Sequence, residues 1–529
     1  MKKKKAAGSC AVVIMMCVCM TLFYAAVCSQ KADFHTDELY TFQLANSKWG
    51  PWFYMPEKEY FSPDLIRQQL VVQPDDTFNY QGVMERESFD RHPFLYALFM
   101  HTLCSFFPGE FSWWVGLAVN VLFAVLGVFV IFLCMRQLTK RFAVAVGTAV
   151  FYGITYGMVQ EVTFIRSYVI LMFLTALILY IHLKYWEEPF QLQFYALLGV
   201  TSLCGALIHY YFIVFLFGCC VVYFFKLTGH KKYKEAMAYF ATEAAAGLLA
   251  VIIFPRMITT MFAPAVTANV QKVSLSGHFQ IFLGMVHREL SGGLIWIWCL
   301  VLMVLLFGSI YKRKKSSAKI HLQNIDIEKI IFLIFPVILC IAVVSVSAEL
   351  VTSRYVCEVY PAVVLLWSYV TYFVLDGVFE KKNIVYLIML VAGALFIGKS
   401  YWHNNVTSLY RDRTDILSQT ERRINRNALL LNKNGCIWTI PSAYSELKDY
   451  RSLMIYPYNE IETGELEGIL SDYDQDALNV YCYSWDMDEE EYNQCCGSLW
   501  RYLHETSPQV KIEKLWDSYY CEVFEISGL

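Results

Sequence analysis

The sequence predicts a polytopic α-helical membrane protein with a small C-terminal α/β domain. Three observations carry this prediction. Of 529 residues, 57% are hydrophobic and only 17% are charged. Apolar stretches near the roughly 20-residue length that a bilayer demands recur along the first 400 positions, about eleven in all. The charge then reverses: residues 1–400 hold 32 Lys+Arg against 24 Asp+Glu, whereas residues 401–529 hold 11 against 22.

In order, the expected spans lie near Cys10–Ser29, Phe111–Cys134, Ala143–Gln160, Tyr168–Leu183, Phe194–Ile208, Tyr211–Phe225, Ala236–Pro255, Gly293–Tyr311, Ile330–Val346, Pro361–Leu375 and Ile384–Lys399. The segments joining them alternate in charge. Lys2–Lys5, Arg136 to Arg141, Lys226 to Lys234, Lys312 to Lys319 and Lys381-Lys382 fall on one side. Lys31–Arg91, Glu161–Ser167, Arg256–Gly292 and Ser347–Tyr360 fall on the other. The positive-inside bias therefore predicts a plasma-membrane protein with a cytoplasmic N-terminus, the second set of loops outside, and everything after about Ser400 outside as well. Ala11–Val27 exceeds the roughly 7–15 apolar residues of a signal peptide and reads as an uncleaved anchor. Pro93–Phe107 is apolar but short, as an interfacial segment is. Counting it as a span would move every later loop to the wrong side.

Two domains follow: residues 1–400, with an external loop at 30–110, and an extracytoplasmic α/β domain at 401–529 that should fold separately. Within the tail, Cys436–Ile440, Leu453–Pro457, Leu478–Tyr483 and Val510–Ile526 read as strands. Thr414–Asn432, Ser442–Arg451 and Asp488–His504 read as helices. Five of the 17 cysteines lie in this tail, enough for one or two disulfides outside the cell, and no spacing suggests zinc.

Chemistry is expected first at Asp37-Glu38, just past the first span. Two carboxylates beside a bilayer contribute nothing to a membrane fold, so they point to function. Thr36 could cap a helix there, and acids suit a first turn. Further along, Asp90-Arg-His-Pro93 opens the interfacial segment. Arg166 and Tyr168 stand at the outer end of a span, His209-Tyr210-Tyr211 in a tight outer turn, and Ser353-Arg354-Tyr355 against another span. External arginines oppose the positive-inside trend and call for an anionic partner, either Glu161, Glu349 or Glu358, or a phosphate. The planar guanidinium suits phosphate because it donates in pairs and stays charged. No Gly-rich phosphate loop, zinc-protease motif or serine elbow is present, and nothing indicates nucleic acid.

The ordered set Thr36-Asp-Glu-Leu-Tyr40, His92-Pro-Phe-Leu-Tyr96 with His101, Arg166-Ser-Tyr168, His209-Tyr-Tyr211 and Ser353-Arg-Tyr355 to Tyr360-Pro361 resembles the integral-membrane glycosyltransferases of the GT-C type that use polyprenyl-phosphate sugars. It is closest to bacterial relatives of protein O-mannosyltransferases and of the lipid A aminoarabinose transferase. The likeness spans residues 1–400; it departs at Phe94, where the family often has a second proline, and leaves the tail outside. It implies that an acidic residue after the first span, here Asp37, is the catalytic base.

The expected function is transfer of a monosaccharide, with inversion, from a polyprenyl-phosphate donor to a glycan, lipid or protein acceptor on the outer membrane face. Asp37 and Glu38 are the catalytic candidates and Arg166 and Arg354 the phosphate ligands. His92, Tyr168, His209, Tyr210 and Tyr355 are further active-site candidates. The chemistry demands no metal; a divalent metal, if used, would take Glu38 as a ligand. Two rivals are a lipid-linked-sugar flippase, disfavoured by the lack of inverted repeats and Gly/Pro-broken central helices, and a non-catalytic envelope scaffold.

Overall fold

A computed structural model describes residues 2–528 except 91, 189–190, 262–274, 317–325, 349, 423–425, 434, 459–476 and 507–508. Glu349, one expected arginine partner, lies outside the described residues. Among the described residues, seven helices are long and apolar enough to cross a membrane: Gly8–Cys28, Trp113–Thr139, Tyr210–Gly229, Tyr233–Ile253, Ile327–Ser347, Ser353–Val378 and Lys382–Trp402. Two bent helix pairs, each counted as a single span, raise the number to at most nine. The chain is a multi-pass membrane protein. The expected figure of eleven is not reached by length and composition, because Tyr168–Lys184 and Leu192–Ala206 form helices of only 17 and 15 residues.

Both bends have local causes. Phe142–Ile154 turns by 57° into Tyr156–Val162 at Thr155, whose hydroxyl accepts the Met158 amide and starts the second helix. Leu275–Ser291 turns by 75° into the helix from Ile295, where the sequence predicted a loop followed by a span. Gly292 sits there at φ +59°, and a Cβ on it would lie 2.6 Å from the Ser400 amide nitrogen. Only glycine combines that backbone with that close approach.

The chain packs as two compact units. A helical unit takes Met1–Ser29, Arg91–Tyr96 and Gly116–Thr407; a sheet-bearing unit takes Gln30–Asp90, Ala97–Val115 and Ser408–Leu529. The division therefore differs from the one expected at residue 400, since most of the 30–110 loop belongs with the tail. Strand β1 (Tyr60–Phe61) pairs antiparallel with β3 (Ser452–Pro457), Tyr60 opposite Met454. The Ala32 amide donates to the Leu409 carbonyl at 2.8 Å.

The remaining strands are β2 (Asn427–Asn432), β4 (Ala477–Tyr483), β5 (Lys511–Ser518) and β6 (Cys521–Ser527), in the sheet order β1-β3-β2-β4-β6-β5. β2 runs parallel to both β3 and β4. Three expectations need correcting. The helix predicted over Thr414–Asn432 stops at Glu421, and its Leu-rich end becomes β2, buried along all but its first residue. Central-strand burial overrides the helix preference of Ala and Leu. The strand predicted over Cys436–Ile440 is a 3-10 helix, Ile437–Ala443, containing Pro441, and the helix predicted over Ser442–Arg451 keeps one turn, Tyr444–Leu447. Val510–Ile526 is a hairpin whose turn places Tyr520 at φ +58°.

Glu489–Thr506 is helical, close to its predicted limits. It buries Cys496, Leu499 and Leu503 against Leu431, Val480 and Ile526, each large side chain contributing about 1.5–3 kcal/mol. The five tail cysteines are free thiols.

Candidate functional site

In the sheet-bearing unit the acidic pair opens the helix Thr36–Asn46. His35, rather than Thr36, is its N-cap. The imidazole Nδ1 accepts the Asp37 amide at 3.1 Å, while the His35 amide donates to Glu38 Oε2 at 2.8 Å. This reciprocal box leaves the two carboxylates in opposite environments. Glu38 is fully buried and its Oε1 lies 3.0 Å from Lys31 Nζ. That ammonium also donates to the Ser408 carbonyl at 2.7 Å and lies over the Tyr410 ring, 5.1 Å from its centroid. Glu38 is thereby taken up in joining the segment after the first span to the tail. The Asp37 side chain is 34% exposed, with Oδ2 3.5 Å from His35 Nδ1. The Asp37 carboxylate therefore stands at a helix N-terminus within reach of solvent, where an incoming hydroxyl can approach it.

The remaining candidates lie in the helical unit, and most of them touch. Arg166 follows a turn that Asn120 fastens: its Nδ2 donates to the Phe164 carbonyl at 2.7 Å and the Val162 carbonyl at 3.2 Å. Tyr96 donates to Asn120 Oδ1 at 3.2 Å, so the His92–Tyr96 segment is tied to the same turn. Arg166 Nη2 lies 3.4 Å from both ring nitrogens of His92. Equal distances mark a guanidinium lying on the ring face rather than one in-plane hydrogen bond. The His92 and His209 rings are 5.9 Å apart, Tyr168 and His209 5.6 Å, and His209 and Tyr211 5.2 Å. Tyr211 meets Tyr355 at 6.0 Å, and the Arg354 guanidinium stands 5.4 Å from the Phe164 ring and 5.6 Å from that of Tyr355. Tyr210 is the half-buried first residue of its helix.

His209 accepts the Tyr211 amide at Nδ1, 3.2 Å away. Burial, then the charges of His92 and Arg166, push its imidazole well below the usual pKa. The neutral ring must carry its proton on Nε2, which is buried and has no hydrogen-bond partner among the described residues. Two guanidinium groups and a neutral imidazole N–H make an environment suited to an anion. Arg354 is an electrostatic neighbour of buried Glu161, one of the partners expected for the arginines.

The motifs missed Asn120 and Phe164, which position Arg166 and Arg354, and Lys31, which engages Glu38. A polar asparagine inside the apolar run Trp113–Thr139 was the available signal for the first. Among the described residues no group of three or more His, Cys, Asp or Glu is arranged to hold a metal ion, and Glu38, the candidate ligand, is engaged by Lys31.

No protein-family model matches the chain, and no curated protein sequence does. Among solved structures it is similar to ArnT from Cupriavidus metallidurans bound to undecaprenyl phosphate: TM-score 0.51, 10% identity, 97% of this chain and 98% of that one covered. The apo state of the same ArnT gives TM-score 0.51 and 12% identity, with 98% of each chain covered. The likeness runs through the tail as well as the membrane helices. This multi-pass chain therefore has the fold of ArnT, as the motif order had implied.

Proposed function

We propose that the chain is an inverting glycosyltransferase that moves a monosaccharide from a polyprenyl-phosphate donor to an acceptor hydroxyl on the outer membrane face. The division of the acidic pair carries this reading: Glu38 is committed to a buried ion pair, whereas Asp37 is left reachable at a helix start. The fold adds support, because the similar ArnT was solved with undecaprenyl phosphate bound.

Asp37 takes the acceptor proton as the acceptor oxygen attacks the anomeric carbon. The bond from that carbon to the phosphate oxygen breaks, and polyprenyl phosphate leaves as an anion. One base suffices because this leaving group needs no proton. Arg166 and Arg354 hold the phosphate, with the His209 N–H as a further donor, in the manner of cationic clamps on phosphoryl groups. Loop charge orients the chain with its N-terminus in the cytoplasm and the sheet-bearing unit outside.

The test is Asp37→Asn, which keeps shape and removes the proton acceptor. Sugar transfer should fall roughly 10²–10⁴-fold, with polyprenyl-phosphate binding and melting temperature at the parent's values. An Asp37→Asn protein that transfers sugar at the parent's rate would overturn the mechanism.

A further inference from the structure

The sheet-bearing unit carries an open aromatic cleft of about 490 Å³ lined by Tyr40, Trp52, Phe53, Gly435, Ile437 and Trp438. Tyr40 stands three residues after Asp37 on the same helix, so both side chains lie on one face within a turn of each other. Its hydroxyl donates to the Trp438 carbonyl at 3.3 Å, and its ring meets Phe53 edge-on at 5.2 Å. This ties the helix bearing Asp37 to the wall of the cleft. Beyond the cleft the aromatic surface continues. Trp438 packs on Trp485 at 5.0 Å, and Trp485 on Tyr520 at 4.9 Å, both edge-to-face. Trp52 is 61% exposed and Trp485 42%. Large aromatic faces left in water on one side of a molecule mark a binding surface.

The lining chooses among occupants. Among the described residues it has no Lys or Arg to offer a phosphate-bearing or nucleotide ligand a counter-charge. It is open to solvent, unlike a groove enclosing a lipid chain. What suits it is a molecule with apolar C–H faces for the indole and phenol rings and hydroxyls around its edge. One of those hydroxyls would be presented to a carboxylate one helical turn away. We propose that the cleft between Tyr40, Trp52 and Trp438 binds a saccharide, and that the acceptor is accordingly a glycan seated on these rings. The link to acceptor chemistry rests on the reading of Asp37 as base; saccharide binding itself does not.

The experiment uses the full-length detergent-solubilised protein and follows tryptophan fluorescence while neutral hexasaccharides of glucose, mannose, galactose, rhamnose and N-acetylglucosamine are added. At least one should bind saturably. Trp52→Ala, which removes an exposed side chain, should weaken that binding roughly tenfold or more, the loss typical of an aromatic anchor. Trp438→Phe should weaken it less, and Trp402→Ala, at an exposed tryptophan of the helical unit, should leave it unchanged. Asp37→Asn should bind the saccharide like the parent while failing in transfer. Full transfer by Asp37→Asn together with Trp52-sensitive saccharide binding would sink the base and spare the cleft. No saturable binding by any hexasaccharide, or equal binding by parent and Trp52→Ala, would overturn the proposal. So would Trp52-sensitive binding of an unglycosylated peptide or a lipid headgroup in place of the sugars.

Discussion

The buried ion pairs of the sheet-bearing unit and the unmatched buried polar atoms around His209 in the helical unit are two different uses of buried polarity. In the sheet-bearing unit, Lys31 meets Glu38, and Arg413 reaches both Asp33, at 3.4 Å, and Glu446, which also accepts the Trp516 indole N–H at 2.9 Å. Arg413 and Asp33 are 380 positions apart, and Lys31 also donates to the Ser408 carbonyl, 377 positions away; removing one partner of such a buried pair would strand a charge in low dielectric. In the helical unit, His209 Nε2 and Glu161 Oε2 are buried without hydrogen-bond partners among the described residues. A buried polar atom left unmatched is costly, and such atoms gather where a ligand completes the set. The difference separates charge used to hold the chain together from polarity held in readiness. It divides even adjacent residues: Glu38 belongs to the first kind and Asp37 to neither buried class.

The largest test of that contrast sets neighbours against each other. Glu38→Gln leaves Lys31 buried and uncompensated, which should destabilise the sheet-bearing unit by about 3–5 kcal/mol. Asp37→Asn should leave its stability near the parent's. Limited proteolysis at rising temperature, read on fragments of the tail, compares the two. If Glu38→Gln resists protease as the parent does, the pair is not the brace described here, and Glu38 returns as a candidate for chemistry.

A smaller effect is expected in the helical unit. Arg166→Lys keeps the charge but loses the planar contact with His92 and the paired donors. Binding of polyprenyl phosphate should weaken roughly tenfold, about the value of one charge-assisted hydrogen bond, with no loss of melting temperature. A lowered melting temperature at unchanged lipid affinity would move Arg166 into the structural class.

Much of this was legible in the sequence, for reasons tied to range. Apolar runs declare membrane helices locally, and the motif order carried the fold. Pairing of β1 with β3 was not legible, because Tyr60-Phe61 is a two-residue strand whose partner lies nearly 400 positions away. β2 was read as helix because Ala428 to Leu431 are good helix formers, and only the strands on either side make them a strand. The turn at Tyr519-Tyr520 lacks the Gly, Asn, Asp or Pro that usually announces a hairpin. At the site, the His35-x-x-Glu38 spacing already carried half of a capping box. What no local pattern could state was the buried Glu38 and the Ser408 carbonyl converging on the Lys31 ammonium.

The smallest expected effect concerns pH and lies at His101, on the helix Leu95–Cys104. The ring is fully buried, with Nδ1 2.9 Å from the Ala45 carbonyl. Arg86 donates to the same carbonyl from Nη2 at 2.7 Å. Burial first, then the Arg86 charge, pull the His101 pKa below its usual value. The unfolded chain therefore binds a proton near pH 6.5 that the folded unit still refuses. Where the unfolded state binds more protons, stability rises with pH. His101 accordingly contributes its full share above about pH 6.5, and that share is lost as pH falls through the lowered native value. Melting of the sheet-bearing unit should shift downward between pH 7 and pH 5. In His101→Gln, which keeps a hydrogen-bonding side chain without the titration, the shift should shrink. An unchanged pH profile in that variant would assign the dependence to another group and leave His101 a packing residue.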